Sequence, residues 1–261
     1  MTIYLTWNVY HGTLPTGTPV QRIERIVRLG VNHSVDVICL QECPQNLLDP
    51  AVPVGQPGPT TPFVTALNAA IPGWSTYYNV LQVYSEENPN TPKWVNSTDG
   101  YLVFFRTNVF SGYANLGYYN AGSFRDPIGN YLRPPVRVDL RLAAGGGVTV
   151  FDWHADTGGP QVACAVAALN SLLGPAQNQA APTAVCGDFN YAGPLNNLLL
   201  GTGRQPFPGW DDSSVYLTNP AGQAIANGVD HILTSEDSMF VLNNQLDFKS
   251  DAYHYPFAVD M

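Results

Sequence analysis

Two kinds of strand connection occur in this chain, and together they exclude most folds. Residues 136–142 (VRVDLRL) and 148–153 (VTVFDW) alternate apolar and polar side chains on either side of AAGGG, which is the pattern of a hairpin. Other strand-like runs are separated instead by helical segments. VQRIERIVRLGVNH at 20–33 spaces Val20, Ile23, Ile26, Val27 and Val31 near a period of 3.6, and it lies between the runs 3–9 and 35–41. GPQVACAVAALNSLLG at 159–174 places Val162, Val166, Leu169 and Leu173 on one face, ends at the Gly174-Pro175 stop signal, and precedes the run 183–186. Further strand-like runs fall at 101–105, 229–234 and 256–260. Hairpins mixed with helix-linked strands imply sheets that are covered by helices without being purely doubly wound. The economical architecture is two mixed sheets packed together and flanked by helices. No repeat or linker divides the chain, so residues 1–261 are expected to form one domain. The Pro-rich stretches 50–62 and 86–92 and the Tyr/Gly/Asn-rich 111–132 are expected to be loops or irregular edges.

Composition narrows the chemistry. Only 12% of residues are charged, about half the usual share, and the net charge is −9. That balance opposes non-specific attraction to polyanions, but it suits a protein that gathers carboxylates around a divalent cation. Lys93 and Lys249 are the only lysines, so contacts to a phosphate fall to the arginines. Four cysteines (Cys39, Cys43, Cys164, Cys186) allow up to two disulfides by three pairings. Three of them lie in apolar patterns and read as buried thiols, and the spacing is not that of a zinc site. No run of about 18 apolar residues is present, which predicts no membrane span. The start is already strand-like, with no basic n-region or cleavage site, so no signal peptide is expected, as would also hold for a mature form with the signal removed. The low Lys content and the sequons at Asn32 and Asn96 point to a secreted or periplasmic mature form, with the cytoplasm left open.

One oddity repeats along the chain. LTWNVYHG ends a strand on Asn8, VICLQE on Glu42, VFDWH on His154, and VCGDFN on Asp188 and Asn190. GVDHIL begins one near Asp230, and KSDAYHYPFAV sets Asp251 and His254 just before the last strand. Each residue alone reads as a turn former or an ordinary loop residue. Six such ends can converge on one rim of a sandwich, where loops carry chemistry on a rigid scaffold.

The ordered series of Asn8, LQE, YLRPP, HA, GDFN, DHI and the terminal SDAYHYP resembles the endonuclease/exonuclease/phosphatase superfamily. The resemblance runs from Asn8 to Pro256. It implies an α/β fold, a four-layer α/β/β/α sandwich, that hydrolyses phosphoesters with Mg²⁺, or with Mn²⁺ or Ca²⁺ in its place. On that resemblance Glu42 is the principal metal ligand, with Asn8 on the metal or phosphate and Asp251 as a further ligand. Asp188 orients or deprotonates the attacking water, and Asn190 and Arg133 bind phosphate. His254, steered by Asp230, handles a proton; His154 is the second catalytic histidine, with Asp99 as its acidic partner. The terminal motif departs from the family's contiguous S-D-H-x-P, so either Asp251 or Tyr253 occupies the Asp position. His11 and His231 match no role and read as ordinary residues.

HADTGG leading into an apolar helix is similar to deoxyribonuclease I and, more closely, to the nuclease subunit of cytolethal distending toxin, which ranks DNA endonuclease first. Arg106, Arg125, Arg133 and Arg204 are then the local phosphate contacts, and Tyr118, Tyr119 and Trp94 could stack on bases or simply pack. A toxin-like role would need delivery or binding subunits. The alternatives are a sphingomyelinase- or phosphoinositide-type phosphoesterase, and a catalytically silent toxin-partner module on the same fold.

Overall fold

The first strand shows why the protein is layered. β1 (Ile3–Asn8) sends Tyr4, Thr6 and Asn8 to one side and Leu5 and Trp7 to the other, and all five are buried. A strand buried on both faces must lie between two other layers. The computed structural model describes residues 1–9, 17–44, 62–83, 99–119, 122, 124–126, 128–129, 132–155, 159–195, 206–218, 224–242, 254 and 256–261.

After β1 come α1 (Pro19–Asn32), β2 (Val37–Pro44), α2 (Pro62–Ala70), β3 (Tyr78–Val83) and β4 (Asp99–Arg106). There follow β5 (Phe110–Tyr118), β6 (Val136–Leu142), β7 (Gly147–His154), α3 (Gly159–Leu173) and β8 (Thr183–Asp188). The described elements close with β9 (Asp211–Thr218), β10 (Ala224–Thr234), β11 (Met239–Leu242) and β12 (Phe257–Asp260). One sheet has the order β11-β12-β1-β2-β4-β3 and the other β5-β6-β7-β8-β10-β9. Each contains a single parallel pair among antiparallel neighbours: β1 with β2, joined through α1, and β7 with β8, joined through α3. The helix start at α1 is set locally. Thr18 caps the Gln21 N–H, the Gln21 side chain returns to the Thr18 N–H, and Pro19 supplies a preset φ.

Three apolar layers hold the sandwich together. Leu5, Trp7, Ile38, Leu40 and Phe104 pack under Ile23, Ile26 and Val27 of α1 and Leu67 of α2. Between the sheets Tyr4, Val37, Cys39, Val103 and Phe105 meet Val138, Leu140, Val150, Ala184 and Ile232. Outside the second sheet Phe151, Trp153 and Val185 pack against Val162, Val166 and Leu169 of α3. The order is helix, sheet, sheet, helix, as the alternation and helix spacing predict.

Some elements depart from the sequence reading. Of the stretch 111–132, expected as loop or irregular edge, residues 111–118 belong to β5, an edge strand in which Asn115 (φ 51°) and a register shift between Ala114 and Gly117 break the two-residue period. α2, β3, β9 and β11 carry no clear periodicity in the sequence. All four cysteines are free thiols, three of them buried.

Candidate active site

Both parallel pairs end at the same rim, and the inner faces of their strands change character on the way there. On β1 the inward residues run Tyr4, Thr6, Asn8; on β7 they run Val150, Asp152, His154; on β8 they run Ala184, Cys186, Asp188. An apolar floor therefore gives way to polar and then ionisable groups. Register makes neighbours of the top row, pairing His154 with Asp188 and Asp188 with Asp230. Carboxyl ends of parallel strands are where open α/β sheets generally bind ligands.

Glu42 reaches this rim by a local irregularity. Gln41 faces inward, so strict alternation would send Glu42 outward. A register shift between Leu40 and Cys43 and a left-handed Glu42 (φ 52°) turn its side chain back to the rim. The Asn8 Nδ2 group then donates to Glu42 Oε1 and to Asp188 Oδ2, both at 2.9 Å. Gly187 is required by backbone approach. A Cβ there would lie 1.8 Å from the Trp153 carbonyl oxygen, and its φ is 156°. Beyond it the chain turns on Asn190 (φ 51°), whose N–H donates to Asp188 Oδ1 at 2.7 Å.

Two imidazoles flank Asp188. His154 Nε2 lies 3.6 Å from both Asp188 Oδ2 and Glu42 Oε1. On the other side His254 Nε2 is 3.7 Å from Asp188 Oδ2, while its Nδ1 is 3.2 Å from each oxygen of Asp230. That carboxylate fixes the His254 tautomer and ring plane. Arg133 closes the rim, its Nη1 at 3.0 and 3.1 Å from the two ring nitrogens of His154, and its carbonyl is held by Trp153 Nε1 at 2.9 Å. Asp188 is almost fully buried. Burial pushes its carboxyl up from the ordinary range to about 7; the His254 charge and the Asn8 and Asn190 hydrogen bonds pull the other way, and the Asp230 charge adds to the rise.

A second polar row lies beneath, and the sequence reading missed it. Gln41 Nε2 donates to Asp152 Oδ1 at 2.6 Å and to Thr6 Oγ1 at 3.2 Å. Burial pushes the Asp152 carboxyl well above the usual carboxylate range, against the lowering effect of the Gln41 hydrogen bond. Its position two residues before His154, on the same face, was the available signal.

The structure thus brings together Asn8, Glu42, His154, Asp188, Asp230 and His254, with Arg133 at the edge. Asn190 sits in the turn, with one amide hydrogen donated to the Ala155 carbonyl at 2.8 Å. Asp99 opens β4 opposite Pro44, but its side chain lies outside the described residues, as do Asp251, Tyr253, Trp94, Arg204 and His11. Arg106 is engaged with the Ser34 carbonyl and Asp36, at the end of β4 away from Asp99, and Arg125 donates to the carbonyls of Gly122 and Gly129. Tyr118 and Tyr119 are ring contacts of Tyr101 and Phe151, which makes them packing residues.

Ligand atoms of Glu42, His154 and Asp188 lie within 4.8 Å of one another, as do those of Asp188, Asp230 and His254. In the second group His254 Nδ1 already faces Asp230, which marks a His–Asp pair. The first offers two carboxylates beside an imidazole, and its carboxylate oxygens are the donors a hard divalent cation prefers. A family profile, described as Endonuclease/Exonuclease/phosphatase family, matches residues 5–251, nearly all of the chain.

The chain belongs to this family. No curated protein matches it. Among solved structures it is similar to a mannosyl-6-phosphatase of Bacteroides thetaiotaomicron VPI-5482, at 15% identity and a TM-score of 0.60, covering 100% of this chain and 99% of that one. It is also similar to truncated TDP2 of Caenorhabditis elegans, at 12% identity and a TM-score of 0.54, covering 99% and 96% of the two chains. ANGEL2, a 2',3'-cyclic phosphatase, matches at 14% identity with a TM-score of 0.53, covering 99% and 94%. These structural likenesses establish the fold. As a member of the endonuclease/exonuclease/phosphatase family the protein is a hydrolase of phosphate esters, and the acidic and imidazole groups at its rim fit the divalent-metal dependence typical of that family.

Proposed function

We propose that the protein is a divalent-metal-dependent phosphodiesterase of the deoxyribonuclease I type, cleaving DNA internally, with Mg²⁺ or Mn²⁺ as the ion. One observation carries this reading: His154 and His254 stand on opposite sides of one carboxylate oxygen, at 3.6 and 3.7 Å. A phosphodiester has a poor alkoxide leaving group and an attacking water, so it needs one group to give a proton and another to take one. Asp188, ionised, aligns the water and accepts its proton. His254, oriented by Asp230, supports the charge building on phosphorus. His154 protonates the departing oxygen, while Arg133 and the remaining amide hydrogen of Asn190 hold the phosphate. A divalent cation would be held by Glu42 with Asn8 beside it, and it would supply Lewis-acid polarisation of the phosphoryl group.

A second reading rests on a different observation. Arg133 is the arginine held against a rim histidine, and a single guanidinium suffices for one phosphate but gives little purchase on a duplex backbone. That favours a small phosphate ester, as the names of the mannosyl-6-phosphatase and cyclic-phosphatase structures suggest. Against a silent partner module stand both histidines, Glu42 and Asp188, all present and converged.

The test is nicking of supercoiled plasmid with Mg²⁺ or Mn²⁺, with EDTA and His154→Ala as controls, beside p-nitrophenyl phosphate and its bis ester. Nicking lost in both controls supports the nuclease. Hydrolysis of the monoester without nicking replaces it with the phosphatase reading, and inertness toward every substrate with metal bound rejects both.

A further inference from the structure

His231 follows Asp230 on β10 but points the other way, into the layer outside the second sheet. It is fully buried, and both ring nitrogens are engaged. Nδ1 is 2.9 Å from Asp212 Oδ1 on β9, and Nε2 is 2.9 Å from the carbonyl oxygen of Tyr191, just after β8. A carbonyl oxygen can only accept, so Nε2 carries a hydrogen. Facing a carboxylate, Nδ1 carries one too. Burial alone would lower the proton affinity of this ring. The hydrogen bond and charge of Asp212, the Tyr191 carbonyl and the charge of Asp230 on the far side of the strand outweigh it.

What this ring touches is the turn that carries the site. Residues 189–195 are fixed at four points: Phe189 N to the Val229 carbonyl, the Asn190 amide to Ala155, Tyr191 O to His231, and Leu195 N to Asp212 Oδ2 at 2.7 Å. Two of the four run through the His231–Asp212 pair. The Phe189 ring packs 5.2 Å from the imidazole, tying the same turn to it by contact. The turn also holds a left-handed Asn190, which costs free energy and persists only where the surroundings overdetermine it.

We propose that His231, donating from both ring nitrogens, is a positioning residue that locks the Asp188–Asn190 turn through the Tyr191 carbonyl, while Asp212 anchors the ring and the end of the same loop. Its effect on catalysis rests on the roles given to Asp188 and Asn190; its effect on the turn does not.

Two near-isosteric variants separate the donors. His231→Asn places an amide N–H where Nδ1 was, keeping Asp212 and losing Tyr191. His231→Gln reaches to where Nε2 was, keeping Tyr191 and losing Asp212. Each forfeits one buried hydrogen bond, so a merely structural role predicts similar losses from both. Positioning through Tyr191 predicts that His231→Asn lowers kcat on bis(p-nitrophenyl) phosphate by about 10- to 100-fold with little change in KM, while His231→Gln retains most of it. Amide exchange at Asn190 is to accelerate in His231→Asn and stay slow in His231→Gln, a readout that needs no activity. In ¹⁵N-histidine spectra of the wild-type protein, both nitrogens of His231 are to stay protonated to a higher pH than those of a free imidazole. Equal exchange at Asn190 in the two variants, or a His231 ring that loses its second proton no later than a free imidazole does, overturns the proposal. Distinct exchange in a protein that cleaves no phosphodiester leaves the positioning intact and rejects only the reading of the reaction.

Discussion

Asp188→Asn tests the central electrostatic claim, because it removes a charge while keeping the shape. The wild-type carboxyl titrates near 7 in the folded protein and near 4 when unfolded. A folded pKa raised above the unfolded one means that the native state holds its proton more tightly. Stability is therefore highest below about pH 4 and falls as pH rises through about 7. Each pH unit of that span is worth about 1.4 kcal/mol. The wild-type protein thus gives up about 1.5 kcal/mol at pH 5 and about 4 kcal/mol at pH 8, the latter a ceiling because His254 shares the titration. Asparagine has no charge to bury. It loses one hydrogen bond, since Asp188 now accepts from both Asn190 N and Asn8 Nδ2, at about 1–3 kcal/mol independent of pH. Relative to wild type, the variant should gain up to about 2–3 kcal/mol between pH 5 and pH 8. Urea denaturation in metal-free buffer at both pH values measures the gap. A gap that stays the same within about 0.5 kcal/mol would show that burial of this carboxylate does not strain the folded state. Added Mn²⁺ should stabilise the wild-type protein far more than the variant, while the variant loses hydrolysis at every pH.

Gly187→Ala should fail to fold or lose well over 10 °C in thermal melting, because a methyl 1.8 Å from the Trp153 carbonyl forces β7 from β8; near-wild-type melting would refute the close approach. Glu42→Gln keeps the hydrogen bond from Asn8 but should weaken Mn²⁺ binding by calorimetry at least about 10- to 100-fold, the cost of losing even a supporting partner. Arg133→Ala removes a charged phosphate donor worth about 1.5–3 kcal/mol, so kcat/KM should fall by roughly 10- to 150-fold. Arg133→Lys should recover only part of that, because an ammonium cannot make a two-pronged contact.

Much of the site could be read from the sequence because its residues continue a two-residue alternation. Asn8, His154 and Asp188 each stand two places beyond an inward-facing neighbour on a buried strand, so a period and a strand end located them. The aim of Glu42 was not legible, since it depends on a register slip that no local pattern marks. Likewise β5 and β9 are edge strands whose irregular pairings blur the period. His231 read as ordinary because its importance lies in a carbonyl 40 residues away, a contact set by the topology and invisible in the local sequence. Asp152 was within reach, two places before His154, but a buried acid looks in sequence like any other strand-face polar residue.

The Asn8–Asp188 hydrogen bond joins residues 180 positions apart and on different sheets. Asn8 and Glu42 come from one sheet; His154, Asp188 and Asp230 come from the other. Neither sheet alone holds a working set, so the site exists only after the two have docked. Contacts of such long separation form slowly, because the intervening chain must lose its freedom before they form. In a refolding experiment Trp7 and Trp153, buried in the outer layers on opposite sides of the sandwich, should recover their fluorescence as each sheet collapses under its own helix. Hydrolytic activity should return later, as the clock of the final docking step.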